Sequence, residues 1–263
     1  MRASEREIDE YYGVDGDEFL PTMLSASPWR RDAQNGVALG LLMAHTLEAQ
    51  FDPSREQVAR FTLDILHPAP FAPTNVTWST IRADSRIHLF EGKLEARGLK
   101  AVRASALVLA AGESAPRTDG GRDFAPPAES SERELNQQSG LNVRLMRSGS
   151  RGAATHSRAT AWVRVEADVT PGEPASNIAA AIAAADMGAV ALRRYRDCWD
   201  FPNLDVAVHF VRPPHQGWLR VDTEPLMLGA GVCVINHRIF DGEGPCARAH
   251  QTLFFNPRRR TSA

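Results

Sequence analysis

The chain has 263 residues, of which 30 are Lys or Arg and 32 are Asp or Glu, so its formal net charge is −2. That balance argues against a nucleic-acid-binding protein, because a surface that follows phosphates shows an excess of basic residues. A hydrophobic content of 43% with 24% charged residues is typical of a globular protein. No segment reaches the roughly 20 apolar residues that span a bilayer, and the charged N-terminal segment lacks the apolar core of a signal peptide. We therefore expect a cytoplasmic protein without membrane insertion.

The cysteine and histidine spacings argue against disulfides and metal sites. Cys198, Cys233 and Cys246 form no CxxC pair, and this sparse, odd-numbered set predicts buried, reduced thiols. The eight histidines show neither HExxH nor a paired Cys/His spacing. No GxSxG motif marks a serine nucleophile of the α/β-hydrolase type. The sequence therefore predicts no metal ion and no cofactor.

Two segments with apolar residues at helical spacing organise the chain, residues 35–50 and 175–196. Each is followed by four segments of alternating polarity that Gly and Pro separate, a pattern typical of antiparallel strands. The predicted strands are 58–66, 74–82, 86–96 and 101–110, then 203–211, 218–228, 232–240 and 246–255. A hairpin of residues 141–146 and 159–165 is predicted ahead of the second helix. The pattern predicts an α+β fold.

The two sets of strands repeat one another at an offset of 145 positions. Phe61 aligns with Val206 and Leu89 with Val234, and no gap is needed between the strands. Such self-similarity is typical of a duplicated structural unit. We therefore predict a tandem repeat of a helix-plus-sheet unit. Its parts are an N-terminal extension (1–17), a first unit (18–111), an exposed linker (112–139), a second unit (140–257) and a basic tail (258–263).

An Ala-rich helix followed by antiparallel strands, present twice, resembles the double hotdog fold, in which a curved sheet wraps each helix. Three second-unit segments, AADMGAVAL, FPNLDVAVHFVRPPHQGWLRVDT and IFDGEGPCARAHQTLFF, resemble the C-terminal half of the acyl-CoA thioesterase II-like family. NGVALGLLMAHTL resembles the N-terminal half of that family more loosely. The resemblance implies hydrolysis of an acyl-CoA substrate to the free acid and CoA, and it allows homo-oligomers of such chains.

Asp186 stands out on the second predicted helix even without the family. It follows Ile178 and Ile182 at spacings of eight and four residues, on the stripe that faces the sheet. Burial raises the pKa of a carboxyl group toward that of a useful base. An Asp that only ends an Ala-rich helix ahead of Gly188 is the structural alternative. The resemblance favours catalysis, because the family carries an Asp on this helix.

The resemblance also implies that Gln251 and Asn203 position the attacking water. Gln251 shares strand parity with Ala249 and Leu253, which predicts that its amide points to the apolar side and needs partners there. A core Gln bonded to backbone is the alternative. Asn203 stands where the family often has Thr. Its predicted parity is that of Asp205 and not of the apolar set, and an Asn that caps the strand start is the alternative.

The repeat provides an internal comparison for these three polar residues. Their counterparts 145 positions earlier are Leu41 for Asp186, Val58 for Asn203 and Ala106 for Gln251. All three counterparts are aliphatic, which predicts one functional pocket per chain, in the second unit. The first unit is then expected to supply the scaffold, a wall of the acyl tunnel, and backbone N–H groups near Asn35 and Gly36 that hold a thioester oxyanion.

Two other functions stay open at the level of the sequence. Hotdog hydratases and dehydratases pair a His with an acidic residue, and His209 and His237 are strand residues that fit such an enoyl-CoA hydratase. The parity of His209 places it opposite the apolar face, which counts against it. A non-catalytic acyl-CoA-binding protein is the third interpretation, because Asn in place of Thr at position 203 is compatible with a weakened site.

Overall fold

The computed structural model describes residues 9–112, 133–136, 141–146, 159–188, 192 and 197–257. Within these ranges the chain forms two α-helices and one large antiparallel sheet of 13 strands. The predicted basic tail, most of the predicted linker and the end of the second predicted helix lie outside the described residues. The described residues therefore cover the two predicted sheets and both helix starts.

The first helix, α1, spans Gly36–Glu48 and confirms the predicted helix of the first unit. It begins there because Asn35 caps it, with Oδ1 accepting a hydrogen bond from the amide of Ala38 at 2.7 Å. Nine of its residues are buried, so the helix is apolar on most of its circumference. It therefore lies in the interior and contacts three strands of its own unit.

The second helix, α2, spans Asn177–Ala185, and its start is set by Ser176, whose Oγ accepts from the amide of Ala179 at 3.0 Å. The prediction that it continues to residue 196 is wrong for the part that the structure describes, since regular α-helical geometry ends at Ala185. Asp186 is the C-cap and opens a 3₁₀ turn. Asp and Gly are poor helix formers, which suits an end here despite the Ala-rich pattern.

The first unit contributes six strands to one end of the sheet, and the four predicted strands are confirmed with ends that move by at most two residues. The strands are β1 (Tyr12–Asp15), β2 (Glu18–Pro21), β3 (Glu56–Ile65), β4 (Thr74–Ala83), β5 (Ile87–Ala96) and β6 (Leu99–Ala110). Strand β1 lies inside the predicted N-terminal extension and pairs with β2. The extension is thus part of the sheet from Tyr12 onward.

The second unit contributes the other seven strands of the large sheet and two short two-stranded ladders. The strands are β7 (Arg133–Asn136), β8 (Leu141–Met146), β9 (Ala159–Val165), β10 (Asp168–Thr170), β11 (Glu173–Pro174), β12 (Trp199–Asp200), β13 (Asp205–Phe210), β14 (Leu219–Gly229), β15 (Val232–Asp241), β16 (Gly244–Phe254) and β17 (Asn256–Pro257). The large sheet has the order β1-β2-β4-β5-β6-β3-β13-β16-β15-β14-β9-β8-β7. Strand β7 falls within the predicted linker, and the predicted β8–β9 hairpin is present.

The strand register reproduces the predicted offset of 145 residues. Strands β3 and β13 pair where the two units meet, and Thr62 lies directly opposite Ala207, its own counterpart. The ladder of β5 with β6 shifts register between Leu94 and Glu95, and that of β15 with β16 shifts between the equivalent residues Ile239 and Phe240. These equivalent strands of the two units thus pair in the same register, and their ladders have a β-bulge at the same position.

The helices do not follow the offset that relates the strands. Their caps, Asn35 and Ser176, are 141 positions apart, one helical turn less than the strand offset. Counted from the caps, the counterpart of Asp186 is His45, whereas the strand offset assigns Leu41. Neither residue carries a carboxylate, so the contrast between the two units holds in either frame.

One cluster of buried side chains joins both helices to the buried face of the sheet in both units. The helices contact each other closely, because a side-chain carbon added at Gly40 of α1 would lie 3.1 Å from Ile182 of α2. Cys233 and Cys246 are buried free thiols, as predicted, whereas Cys198 is exposed, and the prediction for that residue is wrong. It lies in the turn before β12, outside the core.

Candidate active site

Three side chains that the sequence singled out meet at one point, where α2 ends. The Oδ1 atom of Asp186 accepts a hydrogen bond from Asn203 Nδ2 at 2.5 Å and another from Gln251 Nε2 at 3.0 Å. Asp186 ends the helix, as the structural alternative predicted, and it also contacts two side chains from outside the helix. A carboxylate held by two amides keeps its second oxygen, Oδ2, for other partners.

Asn203 reaches this point because the chain there is not yet a regular strand. Strand β13 begins at Asp205, and Asn203 forms only an isolated bridge to Leu253 of β16. The parity argument against Asn203 was wrong for this reason, since side chains alternate only within a regular strand. Its Oδ1 atom is buried and has no hydrogen-bond partner among the described residues. Such an unpaired acceptor is uncommon, and it is available to a water or substrate.

Gln251 points to the buried side of β16, as its parity predicted, and is only 2% exposed. Its amide nitrogen donates to Asp186, and its Oε1 lies 3.0 Å from Nε2 of His237 on the neighbouring strand β15. A core Gln bonded to backbone is therefore not what the structure contains. Both ends of this amide are used by side chains.

Asn35 and Gly36, the two residues predicted to hold an oxyanion, differ in whether their backbone N–H groups are already hydrogen-bonded. The backbone N–H of Asn35 donates to the carbonyl of Ser25 at 2.8 Å, so this amide is already engaged and the prediction for it does not fit. Gly36 is the first helical residue, whose amide has no partner within an α-helix. A side-chain carbon added at Gly36 would lie 2.8 Å from Asp186 Oδ2. Gly36 therefore borders the free oxygen of the carboxylate.

His237 and Thr223 extend the network. From the sequence, His237 was a candidate only for a hydratase, and Thr223 was not a candidate. Thr223 Oγ1 lies 3.0 Å from His237 Nδ1, and both residues are buried. Because Gln251 donates through its nitrogen, its Oε1 must accept, so His237 Nε2 carries the proton and Nδ1 accepts from Thr223. The 145-residue offset could have shown these positions, since their counterparts are Trp78 and Gly92.

The surroundings shift the pKa values of the two titratable groups in opposite senses. Burial raises the pKa of Asp186 to about 7, and the hydrogen bonds from Asn203 and then Gln251 oppose that rise. Burial lowers the pKa of His237 to about 4, which its hydrogen bond to Gln251 partly offsets. Near neutral pH, Asp186 therefore exchanges protons readily and His237 is uncharged.

Gly188 makes room for the amide network. A side-chain carbon added there would lie 2.3 Å from Gln251 Oε1 and 3.2 Å from His237 Nε2. The 3₁₀ turn from Asp186 thus passes directly over the hydrogen bond between β15 and β16. Only a residue without a side chain permits this approach while Gln251 keeps both partners.

The equivalent place in the first unit is filled by apolar atoms. The counterparts 145 positions earlier are Val58 for Asn203, Trp78 for Thr223, Gly92 for His237 and Ala106 for Gln251. The ring of Trp78 covers Gly92, where an added side-chain carbon would lie 2.7 Å from the indole and 2.8 Å from Met43 Cε. Its Nε1 donates to Thr46 Oγ1 of α1 at 3.1 Å. An aromatic ring thus occupies the space that Thr223 and His237 share in the second unit.

The remaining candidate groups lie elsewhere or form no pair with Asp186. His209 is exposed on β13, on the face away from the buried residues. Across the described ranges, no three His, Cys, Asp or Glu side chains are grouped so as to hold a metal ion. Of the helices that the structure describes, none is long and apolar enough to cross a membrane.

Solved structures of hot dog proteins share this fold over nearly the whole chain. A conserved protein of unknown function with a hot dog fold, from Alicyclobacillus acidocaldarius, is 17% identical, has a TM-score of 0.74, and covers 98% of this chain and 100% of its own. A putative thioesterase II from Thermobifida fusca is 14% identical, with a TM-score of 0.75 and coverages of 95% and 96%. An acyl-CoA thioesterase II from Mycobacterium marinum is 18% identical, with a TM-score of 0.68 and coverages of 90% and 97%. The likeness establishes a hot dog fold.

Models of a single protein family match the two units separately. The model of the acyl-CoA thioesterase N-terminal domain matches residues 25–109, and the model of the acyl-CoA thioesterase C-terminal domain matches residues 112–255. Among curated proteins, none matches the chain. The C-terminal model alone spans more than half of the sequence and includes Asp186, Asn203 and Gln251. The chain therefore belongs to the acyl-CoA thioesterase family.

Proposed function

We propose that the protein hydrolyses acyl-CoA thioesters at one site, with the carboxylate of Asp186 as the general base. The observation that carries this proposal is the buried carboxylate itself, whose Oδ1 is held by two side-chain amides while Oδ2 stays available. Burial raises the pKa of Asp186 to about 7, close to the pH at which a general base works best. A carboxylate that served only to end a helix would gain nothing from such burial.

Hydrolysis requires a water molecule that is aligned between the base and the carbonyl carbon of the thioester. Asp186 removes a proton from the water, whose oxygen forms a bond to the thioester carbon. Asn203 Oδ1, buried and unpaired among the described residues, accepts the second water proton in a hydrogen bond and so orients the attack. The C–S bond then breaks, and the proton passes from Asp186 to the departing CoA thiolate. The products are the free acid and CoA, and no acyl-enzyme forms.

The main contact of Gln251 in the site is with the carboxylate of Asp186. Its amide donates to Asp186 Oδ1, and this hydrogen bond fixes the plane of the carboxyl group against the sheet. The amide nitrogen has a second proton, which can bind the attacking water. A base with a fixed plane loses less entropy when the transition state forms.

The N-terminus of α1 supplies the stabilisation of the oxyanion in this proposal. Gly36 borders Asp186 Oδ2, so the first turn of α1 faces the place where the carbonyl reacts. Backbone N–H groups at a helix start carry a partial positive charge that favours a developing oxyanion. The first unit thus contributes a helix end to the site, and the second unit contributes the side chains.

The architecture that goes with this function is a double hot dog, with each unit formed by one helix and its own sheet. The support is the shared register of the two sheets and the pairing of Thr62 with its own counterpart Ala207 at their junction. The units in this proposal are residues 18–111 and 140–257. Helix α1 contacts β4, β5 and β6 of its own unit and also β10 of the second unit, and α2 contacts β9 and β13 to β16 of its own unit.

The experiment that tests the proposal measures thiol release from a panel of acyl-CoAs that differ in chain length, branching and aromaticity. The same samples are assayed for enoyl-CoA hydration and, by calorimetry, for acyl-CoA binding. Thiol release above the uncatalysed rate supports the proposal. Hydration without thiol release, or binding with neither reaction, would contradict it in favour of a hydratase or a binding protein.

A further inference from the structure

Three adjacent strands carry a line of buried hydrogen bonds that ends at Asp186. Thr223 on β14 lies opposite His237 on β15, and Gln251 on β16 is the diagonal neighbour of His237. The distances are 3.0 Å from Thr223 Oγ1 to His237 Nδ1 and 3.0 Å from His237 Nε2 to Gln251 Oε1. His237 is 2% exposed, and its hydrogen bond to Gln251 connects it to Asp186 through that amide.

A glutamine side chain has two orientations of nearly equal shape, related by a half-turn of its terminal amide. In one, the NH2 group faces Asp186 and stabilises the carboxylate. In the other, Oε1 faces Asp186 and two acceptors oppose each other. Which orientation is populated depends on what the far end of the amide meets, because a donor there fixes Oε1 and an acceptor there fixes the nitrogen.

We propose that His237 is a positioning residue for the proposed hydrolysis, whose Nε2–H holds the amide of Gln251 with its NH2 group toward Asp186. Thr223 completes this arrangement, because its hydroxyl lies 3.0 Å from Nδ1 and can donate to it, which stabilises the tautomer with the proton on Nε2. The inference rests on the proposed function of Asp186. It assigns the histidine the role of a donor, not that of an acid or base.

The state of the imidazole supports this role. Burial lowers the pKa of His237 to about 4, so the ring is neutral over the range in which Asp186 titrates. A neutral ring has one donor and one acceptor: Gln251 Oε1, which can only accept, takes the Nε2 proton, and the Thr223 hydroxyl then donates to Nδ1. The donor therefore does not disappear or double when the pH changes near neutrality.

The first unit shows that packing alone does not require this arrangement. At the equivalent place Trp78 lies over Gly92, and apolar atoms fill the space. The second unit instead buries a hydroxyl, an imidazole and an amide, which is costly unless all of them are paired. Gly188 leaves room for the pair of His237 and Gln251, since a side-chain carbon there would lie 2.3 Å from Gln251 Oε1.

The test uses two substitutions of His237 and a matched control on the same strand. His237→Leu removes the donor at similar volume, and we expect kcat for the best acyl-CoA of the panel to fall by about 10- to 50-fold with KM within about 2-fold. His237→Gln puts an amide nitrogen near the Nε2 position, and we expect kcat to return to within about 3-fold of the wild type. Ile239→Val, also buried on β15, lowers stability and should leave kcat unchanged.

A double-mutant cycle separates positioning from a merely structural role. If His237 acts through Gln251, His237→Leu changes kcat by less than about 2-fold in a Gln251→Ala background, because the amide is already gone. An undiminished loss in that background, or a His237→Leu protein with wild-type kcat, would overturn the proposal. So would a folded His237→Gln protein as slow as His237→Leu.

The failure of this inference is distinguishable from failure of the proposed function. If the wild type releases no thiol from any acyl-CoA, the proposed function fails. If the wild type is active, Asp186→Asn is inactive and His237→Leu retains wild-type kcat, only the role of His237 is overturned. Thr223→Val gives a further check, with an expected kcat loss of about 2- to 5-fold because the ring keeps its place and loses its fixed tautomer. Wild-type kcat in Thr223→Val would overturn the part of the proposal that concerns Thr223.

Discussion

The two units place the same strands around very different side chains. In the first unit, Trp78 covers Gly92, and Ala106 completes an apolar surface. In the second unit, the equivalent positions hold the buried chain of Thr223, His237 and Gln251, which leads to Asp186. The same backbone register accommodates both sets of side chains. The comparison shows that the polar chain is not needed to build the sheet, and this points to chemistry as its purpose.

The largest expected effect is that of removing the base. Asp186→Asn keeps the shape and the acceptor oxygen but cannot take a proton, and kcat should fall by about 100-fold or more. The pKa of Asp186 is raised from 3.8 in the unfolded chain to about 7 in the fold, so the wild type loses stability as the pH rises from about 4 to about 7, and above pH 7 this loss is complete, whereas the variant does not incur it. The variant should therefore melt at or above the wild-type temperature at pH 8. Near wild-type hydrolysis by the folded variant would refute the role of Asp186.

Removing the amide beside the base should cost less than removing the base. Gln251→Ala leaves the carboxylate with Asn203 as its hydrogen-bond donor, and we expect kcat to fall by about 10- to 100-fold. His237 then loses its acceptor, so stability should fall as well. Steady-state kinetics with a melting curve measure both effects. A kcat loss as large as that of Asp186→Asn would contradict the expectation that the amide contributes less than the base.

Gly188→Ala probes the space that the network needs. The added carbon would lie 2.3 Å from Gln251 Oε1, so either the amide or the turn has to move. We expect a kcat loss of about 10-fold, because a small displacement at the base disturbs the attack. Gly98→Ala is no suitable control, since Gly98 has a φ of +72° and lies in the β5–β6 turn. Gly112→Ala is the better control, because nothing lies within 4 Å of a carbon added at Gly112.

The smallest expected effect on turnover comes from the first unit. Leu41 is fully buried in α1, and Leu41→Ala should lower the free energy of unfolding by about 2 to 5 kcal/mol through the cavity that it leaves. The chemical step should change by less than about 2-fold. Denaturant unfolding together with kcat separates the two effects. A loss of kcat comparable to that of Gln251→Ala would contradict the assignment of catalysis to the second unit.

Strand positions and the repeat could be predicted from the sequence because alternation and turn residues are local signals. Val206, Val208 and Phe210 follow one another at every second position, and the structure buries all three. The offset of 145 recurs in the central ladders, where Thr62 pairs with Ser105 and Ala207 pairs with His250. The Asp186 and Gln251 contact was predictable from burial parity together with the resemblance.

Other parts of the site depend on contacts that no local pattern reports. The Ala-rich pattern continues past Ala185, but regular helix stops where Asp186 turns toward Asn203 and Gln251. Strand alternation predicts that the Asn203 side chain points away from the apolar side, but this alternation does not apply before β13 begins at Asp205. The engaged amide of Asn35 depends on Ser25, a residue ten positions away at the end of a short 3₁₀ helix (Met23–Ser25). Such features follow from tertiary packing, which overrides propensity.

The pH dependence of kcat/KM for thioester hydrolysis tests the central claim most directly. Because Asp186 must be ionised to accept a proton, and its pKa is raised to about 7, log kcat/KM should rise with a slope of about one below pH 7 and level off above it. The residual activity of Asp186→Asn should lack this rise. A wild-type profile that is flat from pH 5 to pH 9, or a rise that Asp186→Asn retains, would contradict the assignment of Asp186 as the base.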